Sequence, residues 1–162
     1  MHEEGLKMYI NYIEVDRNEI DIIQPLWEKL RNYHHDLSPH FAEKYNEITF
    51  QERKRELLKK SMGGSLRVEI AKDEDTEWFV GYCVSSICDK NVGEIDSIYL
   101  EDDYRSLGIG NTLMENALNW MDENGVKNKK IVVAVGNEKL ISFYEKFDFL
   151  PGHIILENKN KE

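Results

Sequence analysis

A chain of 162 residues, 41% apolar and 32% charged, has the size and balance of a single globular domain with its own core. Its 31 acidic and 21 basic residues leave a net charge of −10, which argues against a nucleic-acid partner and suits a cationic one. No apolar run approaches the ~18 residues of a membrane span, and MHEEGLKMYI lacks the basic-then-apolar order of a signal peptide, so a cytoplasmic protein is expected.

MYINYIEV (8–15) alternates as a first strand. NEIDIIQPLWEKLRNYHHDL (18–37) spaces Ile20, Ile23, Trp27 and Leu30 as a helix, with Pro25 in its early turns, where proline is tolerated. TFQERKRELLKKSM (49–62) predicts a second helix, and Thr49 with Glu52 has the spacing of a capping box. LRVEIAKD (66–73), EWFVGYCVSSICD (77–89) and GEIDSIYL (93–100) read as three successive strands. In the last of them Ile95, Ser97 and Tyr99 are read on one face, with Glu94, Asp96, Ile98 and Leu100 on the other. Cys83 and Cys88 are an odd number apart, so one strand turns them to opposite faces, and neither a disulfide nor a metal site is expected of them.

IGNTLMENALNWMDENG (109–125) carries an apolar stripe of Ile109, Leu113, Met114, Ala117, Leu118 and Met121, with Gly125 as a helix stop. KKIVVAVG (129–136) reads as a buried strand, NEKLISFYEKF (137–147) as a short helix and GHIILEN (152–158) as a last strand. The charged end, ENKNKE, reads as a frayed tail. The order predicts a mixed α/β fold in which a strand meander feeds a crossover, rather than the regular alternation of a doubly wound nucleotide fold.

YRSLGIGNTL (104–113) sets two glycines before a helix start. A P-loop would need lysine after Gly110, where Asn111 stands, and a dinucleotide fingerprint would need glycine in place of Leu113. What remains is R-x-x-G-x-G, in which glycines let main-chain amides approach an anion at a helix N-terminus. Thr112 could add a hydroxyl; Arg105 could add charge or hold the loop in shape. A tight turn that needs glycine for geometry alone is the competing reading.

GEIDSIYLEDDYRSLGIGNTLMENAL followed by IVVAVGNEKLISFYEKFDFL resembles the GNAT superfamily of N-acetyltransferases, across roughly residues 92–152. The match is Arg105, Gly108 and Gly110 of the [QR]-x-x-G-x-[GA] loop, and then Asn137 with Phe143, Tyr144 and Phe149. One departure is Asp148, which stands where the family has a turn glycine, so a left-handed aspartate is expected there.

The resemblance implies a single acyltransferase domain over 1–162 with a mostly antiparallel central sheet and helices on both faces, 155–162 being tail. It implies direct transfer from acetyl-CoA to a primary amine, a small cationic one being favoured, with no metal; charge and hydropathy give no nucleic acid and no membrane as the expectation, and a homodimer is left open. The coenzyme would meet main-chain groups of Ile98, Tyr99 and Leu100, the loop residues Arg105, Ser106, Leu107, Gly108, Ile109, Gly110, Asn111 and Thr112, and then Asn137 and Tyr144. Tyr144 is the expected proton donor to the departing thiolate and Glu94 the expected base. Asp96, Tyr33, His34 and Phe41 are expected at the acceptor amine, through charge and cation–π contacts. A coenzyme-binding regulatory module is the rival from another class, and a protein lysine or N-terminal acetyltransferase is the rival acceptor.

Overall fold

The computed structural model describes residues 8–159, so what is expected of the first seven residues and of the last three lies outside the described residues. Among the described residues five strands form one sheet in chain order: β1 (Ile10–Val15), β2 (Ser65–Asp73), β3 (Trp78–Ile87), β4 (Val92–Leu100) and β5 (Asn128–Ile131). β1 to β4 pair antiparallel; β5 joins β4 in parallel, which demands a long crossover between them.

A 3-10 turn, Arg17–Ile23, leads into α1 (Gln24–Leu37), and Pro25 falls in the first turn of α1, where the missing N–H costs nothing. A short helix, α2 (Ala42–Glu47), lies in the connection that follows; its six residues offer no apolar stripe for a sequence reading to find. In α3 (Phe50–Lys60) the capping box forms. The Glu52 amide donates to Thr49 Oγ1 at 3.2 Å and the Thr49 amide to Glu52 Oε2 at 3.0 Å. The crossover is α4 (Ile109–Glu123). It stops at Gly125, left-handed at φ +72°, with the Val126 amide reaching back to the Met121 carbonyl at 3.0 Å in a Schellman bond. A 3-10 turn, Glu138–Leu140, then opens α5 (Ile141–Glu145).

The sheet divides two cores. On one face Ile20, Ile23, Trp27, Phe50 and Leu57 cluster with Val68, Ile70, Tyr82 and Val84. On the other, Ile109, Leu113, Met114, Ala117, Met121 and Tyr144 cluster with Ala71, Val80, Cys83, Ile87 and Ile95. Each large apolar side chain so buried contributes about 1.5–3 kcal/mol.

Three features depart from the sequence reading. Strand β5 ends at Ile131, and Val132 and Val135 are exposed. Beyond it the chain bends onto the end of α1, where Gly136, at φ +103°, comes so close that a Cβ would lie 2.1 Å from the Leu37 carbonyl oxygen. GHIILEN forms no strand: Ile154 is 81% and Leu156 92% exposed, and Glu157 instead pairs with Lys44 at 3.4 Å. β5 is the outer strand of the sheet, and nothing pairs with its free edge among the described residues. Asp148, by contrast, takes the left-handed conformation expected of it, at φ +65°.

The third departure lies in β4. Val84 faces Ser97 and Ser85 faces Ile95, so Asp96 is the extra residue of a β-bulge. The bulge breaks strict alternation. Ile95, Ile98 and Leu100 lie on the α4 side, whereas Ser97, bonded to the Tyr82 hydroxyl at 2.7 Å, and Tyr99 lie on the α1 side. Ile95 therefore parts from Ser97 and Tyr99, and Ile98 and Leu100 part from Glu94 and Asp96.

Candidate active site

The site centres on the outer half of β4. Pairing with β5 stops at Ile95 opposite Ile131, so residues 96–100 continue with one edge uncovered by a strand. A strand residue points its N–H and C=O to the same edge, and successive residues alternate. The Glu101 amide turns inward to the Val80 carbonyl at 2.8 Å, and the Leu100 carbonyl turns outward to Arg105 Nε at 2.9 Å. Ile98 and Leu100 therefore present their amides along the uncovered edge, and Tyr99 faces β3.

Next to that edge lies the glycine loop. Ser106 and Gly108 are both left-handed, at φ +63° and +84°, and a Cβ on Gly108 would meet nothing within 4 Å. Gly108 is the N-cap of α4, and no side chain caps the helix. The first intrahelical bond runs from the Thr112 amide to the Gly108 carbonyl at 3.1 Å. Helix geometry leaves the amides of Ile109, Gly110 and Asn111 without intrahelical partners, in the orientation that favours an anion. The two glycines differ in role. Gly108 supplies the left-handed turn, and Gly110 sits under Phe143, 3.5 Å from where its Cβ would be.

Of the two roles open to Arg105, the contacts serve the loop's shape. Its guanidinium holds the Leu100 carbonyl and pairs with Asp102 at 2.8 Å, over the rings of Tyr33 and Tyr99 at 5.2 and 5.7 Å. The Thr112 hydroxyl donates back to the Gly108 carbonyl at 3.2 Å. The exposed side chain of Leu107 borders, with Gly108, Ile109 and Thr112, an open groove of about 430 Å³ against β1.

Asn137 is buried, and its Oδ1 has no hydrogen-bond partner. It stands at the N-cap position of the turn that follows but its side chain caps nothing, and Glu138 accepts from the Gly136 amide ahead of the turn at 2.9 Å. Tyr144, 6% exposed, lies on the α4 side near Cys83. Burial, with Cys83 nearby, pushes its phenol up to about 12, and burial likewise pushes the Cys83 thiol up to about 12.

On the opposite face Glu94 and Asp96 come together despite the bulge, and what joins them is a lysine. Lys60, the last residue of α3, donates to Glu94 Oε2 and to Asp96 Oδ1, the latter at 2.5 Å. Arg53, two helical turns earlier, donates to the Asp96 carbonyl at 3.0 Å, and Lys130 stands 3.9 Å from Glu94. Burial raises the Asp96 carboxyl, against the pull of the Lys60 hydrogen bond. Burial alone would favour loss of the Lys60 proton; the two carboxylates outweigh it and hold Lys60 above lysine's ordinary range.

Of the residues expected at the acceptor, Asp96 is on β4, Tyr33 and His34 are on α1, and Phe41 stands at the start of α2. Tyr33 stacks under Arg105 and under Lys139 at 5.7 Å, His34 against Tyr45 at 5.6 Å, and Phe41 under Lys44 at 4.4 Å. Burial lowers the basicity of His34. Asp96, Tyr33 and Phe41 each already face a cation of the chain itself.

Sequence reasoning missed Lys60 and Arg53, although a signal existed. Both fall on the stripe of Phe50 and Leu57, at i−4 and i+3 from Leu57, and cations on a buried helix face imply anions or carbonyls opposite.

The model of the acetyltransferase (GNAT) family matches residues 27–149. An uncharacterised N-acetyltransferase of Methanocaldococcus jannaschii is 32% identical over 66 residues, 41% of this chain and 29% of its own. The chain thus spans less than a third of the length of the curated relatives it matches. Among solved structures, the PaiA N-acetyltransferase of Thermoplasma acidophilum, in complex with coenzyme A, is 18% identical with a TM-score of 0.66, covering 86% of this chain and 89% of its own. An aminoglycoside acetyltransferase from an uncultured soil sample, in complex with trehalose, is 14% identical with a TM-score of 0.64, covering 95% and 97%. At these identities the likeness is one of fold.

Proposed function

Since the chain belongs to the GNAT family of acetyltransferases, we propose that it moves the acetyl group of acetyl-CoA to a primary amine by direct attack in a ternary complex. The observation that carries this reading is the uncovered edge of β4 ending beside an uncapped helix start. The amides of Ile109, Gly110 and Asn111 take the pyrophosphate. The orphaned Asn137 Oδ1 accepts from a pantetheine amide, and the edge amides of Ile98 and Leu100 take the pantetheine and the thioester oxygen. No side chain at Ile98, Tyr99 or Leu100 is needed for this.

A neutral amine attacks the thioester carbon, the C–S bond breaks, and the sulfur leaves as thiolate. Tyr144 gives that thiolate a proton, and burial keeps the phenol neutral until it is needed. Glu94 receives the proton that the amine nitrogen loses on becoming an amide. Neither cysteine carries the acyl group: Cys83 is buried and held as a thiol, and Cys88 lies in no such motif. A small amine remains the favoured acceptor, in keeping with neighbours of the same fold that are named as aminoglycoside acetyltransferases. The Tyr33–Phe41 wall would meet it. A cytoplasmic enzyme fits this substrate pair.

The test is coenzyme A release from acetyl-CoA, read with a thiol reagent, across polyamines, aminoglycosides, amino acids and lysine or N-terminal peptides. Release with one class alone is expected and identifies the acceptor. Binding of acetyl-CoA without release in any class overturns the catalytic reading in favour of a coenzyme-binding module.

A further inference from the structure

The cluster of Lys60, Glu94 and Asp96 is not an ordinary surface ion pair. The Lys60 side chain is 35% exposed, that of Glu94 12%, and that of Asp96 only 1%. Asp96 Oδ2 is buried with no hydrogen-bond partner, so the charge on this carboxylate is balanced through Oδ1, by Lys60. A carboxylate buried without a cation takes up a proton instead.

Position makes the cluster relevant to transfer. Asp96 is the extra residue of the β4 bulge, two residues before Ile98, whose amide opens onto the uncovered edge. One face of α3 brings two cations to that point. Arg53 holds the bulge's carbonyl, and Lys60, seven residues on and so on the same helix face, holds its carboxylate. We infer that Lys60 is a positioning residue of the transfer: its ammonium, held between Glu94 and Asp96, fixes the charge of the carboxylate pair that receives the acceptor's proton. The inference rests on the reading of Glu94 as base.

The groups that face the pair are Lys60 and Arg53 from α3, Lys130 from β5, and from β3 the Ser86 hydroxyl, opposite Glu94 in the register and favouring the Asp96 carboxylate, with the neutral Cys83 thiol near Asp96 and Tyr82 bonded to Ser97. Lys130 approaches Glu94 alone, at 3.9 Å, and Arg53 is engaged by a carbonyl and by Glu56. Lys60 is therefore the one ammonium shared by both carboxylates among the described residues.

The experiment compares the wild type with Lys60→Met, which removes the charge and keeps the stem, and Lys60→Arg, which keeps the charge. The pH dependence of kcat/KM is measured with acetyl-CoA and the fastest acceptor among spermidine, kanamycin and a lysine peptide. Carboxyl ¹³C shifts of Asp96 and Glu94 are titrated without acceptor. A base works only when deprotonated, and loss of a neighbouring cation makes a carboxylate harder to ionise. The acid limb of Lys60→Met therefore moves up by about one pH unit or more, as does the carboxyl titration, while Lys60→Arg stays near wild type. Above its limb, Lys60→Met recovers most of the wild-type rate.

A uniform loss of rate at every pH with the limb unmoved would make Lys60 merely structural and overturn the inference. So would an unmoved carboxyl titration. Glu94→Gln, run alongside, separates the two readings. A loss of about 100-fold supports Glu94 as base. A wild-type rate in Glu94→Gln with the Lys60→Met limb still shifted removes Glu94 from that role and leaves Lys60 acting on Asp96.

Discussion

On the α3 side of the sheet, Glu94 and Asp96 sit among Lys60, Lys130 and Arg53; on the α4 side, Tyr144 sits in an apolar cluster, and no described residue hydrogen-bonds its hydroxyl. Burial acts on both sides and favours the neutral form of an acid in each case. Beside Asp96 it is opposed by an ammonium; around Tyr144 nothing opposes it, and the phenol stays neutral. A proton acceptor needs its charge and a proton donor needs its proton. On the proposed mechanism, this difference in charged neighbours across a single sheet suits the carboxylate pair to accept a proton and Tyr144 to donate one, with the thioester expected at the edge of β4.

The largest expected effect comes from removing the coenzyme on which both faces act. In Gly108→Trp the side chain projects into space that is open for 4 Å around the Cβ, where the pyrophosphate is proposed to sit. Affinity for coenzyme A in a calorimetric titration should fall at least ~100-fold, about 2.7 kcal/mol. The left-handed backbone adds roughly 1–2 kcal/mol of local strain, so the far-UV spectrum is recorded alongside to show that the fold persists. Wild-type affinity would mean that the loop is only a turn, and the two faces would then flank nothing.

A smaller and more selective loss is expected on the apolar side. Tyr144→Phe removes one oxygen and leaves the packing, so kcat should drop about 100-fold while acetyl-CoA affinity stays within about twofold. The pH profile refines this. A proton donor fails as pH rises through its own titration, and for Tyr144 that lies near 12. The alkaline side of the kcat profile should therefore be flat between about pH 8 and 10 so far as Tyr144 governs it. An alkaline limb in that range that vanishes in Tyr144→Phe would show the phenol to be far less shielded than its burial implies. The contrast between the faces would then collapse.

What the sequence made legible were features written in neighbouring residues. The capping box at Thr49, the stop at Gly125, the left-handed Asp148 and the uncapped helix after Gly108 each depend on a few adjacent positions. What it hid depended on pairing between distant segments. Alternation placed Ser97 with Ile95, and only the register against β3 reveals the bulge that separates them. KKIVVAVG and GHIILEN both have strand-forming composition, yet a strand exists only where a neighbour offers a ladder, and β4 and β5 diverge after Ile95. Lys60 was hidden for the same reason, since its meaning comes from two carboxylates 34 and 36 residues away.

The smallest effect tests how firmly the apolar side holds its tyrosine. The turn after α5 hangs from Tyr144 itself, whose carbonyl accepts from the Phe147 amide at 3.0 Å and the Phe149 amide at 3.3 Å. Between them Asp148 is left-handed, a conformation that costs a side chain roughly 1 kcal/mol, though aspartate less than most. Asp148→Gly relieves that strain and gives back part of it through the greater freedom of the unfolded chain. A net gain of about 0.5 kcal/mol in urea unfolding is expected. If Tyr144 is held by its apolar neighbours, kcat should not follow, because the turn and the ring are then separate constraints. A fall in kcat with the gain in stability would mean that the strained turn sets the ring's position. Tyr144 would then be held from its backbone, as Asp96 is held by Arg53 at its carbonyl, and the two faces would differ in charge alone.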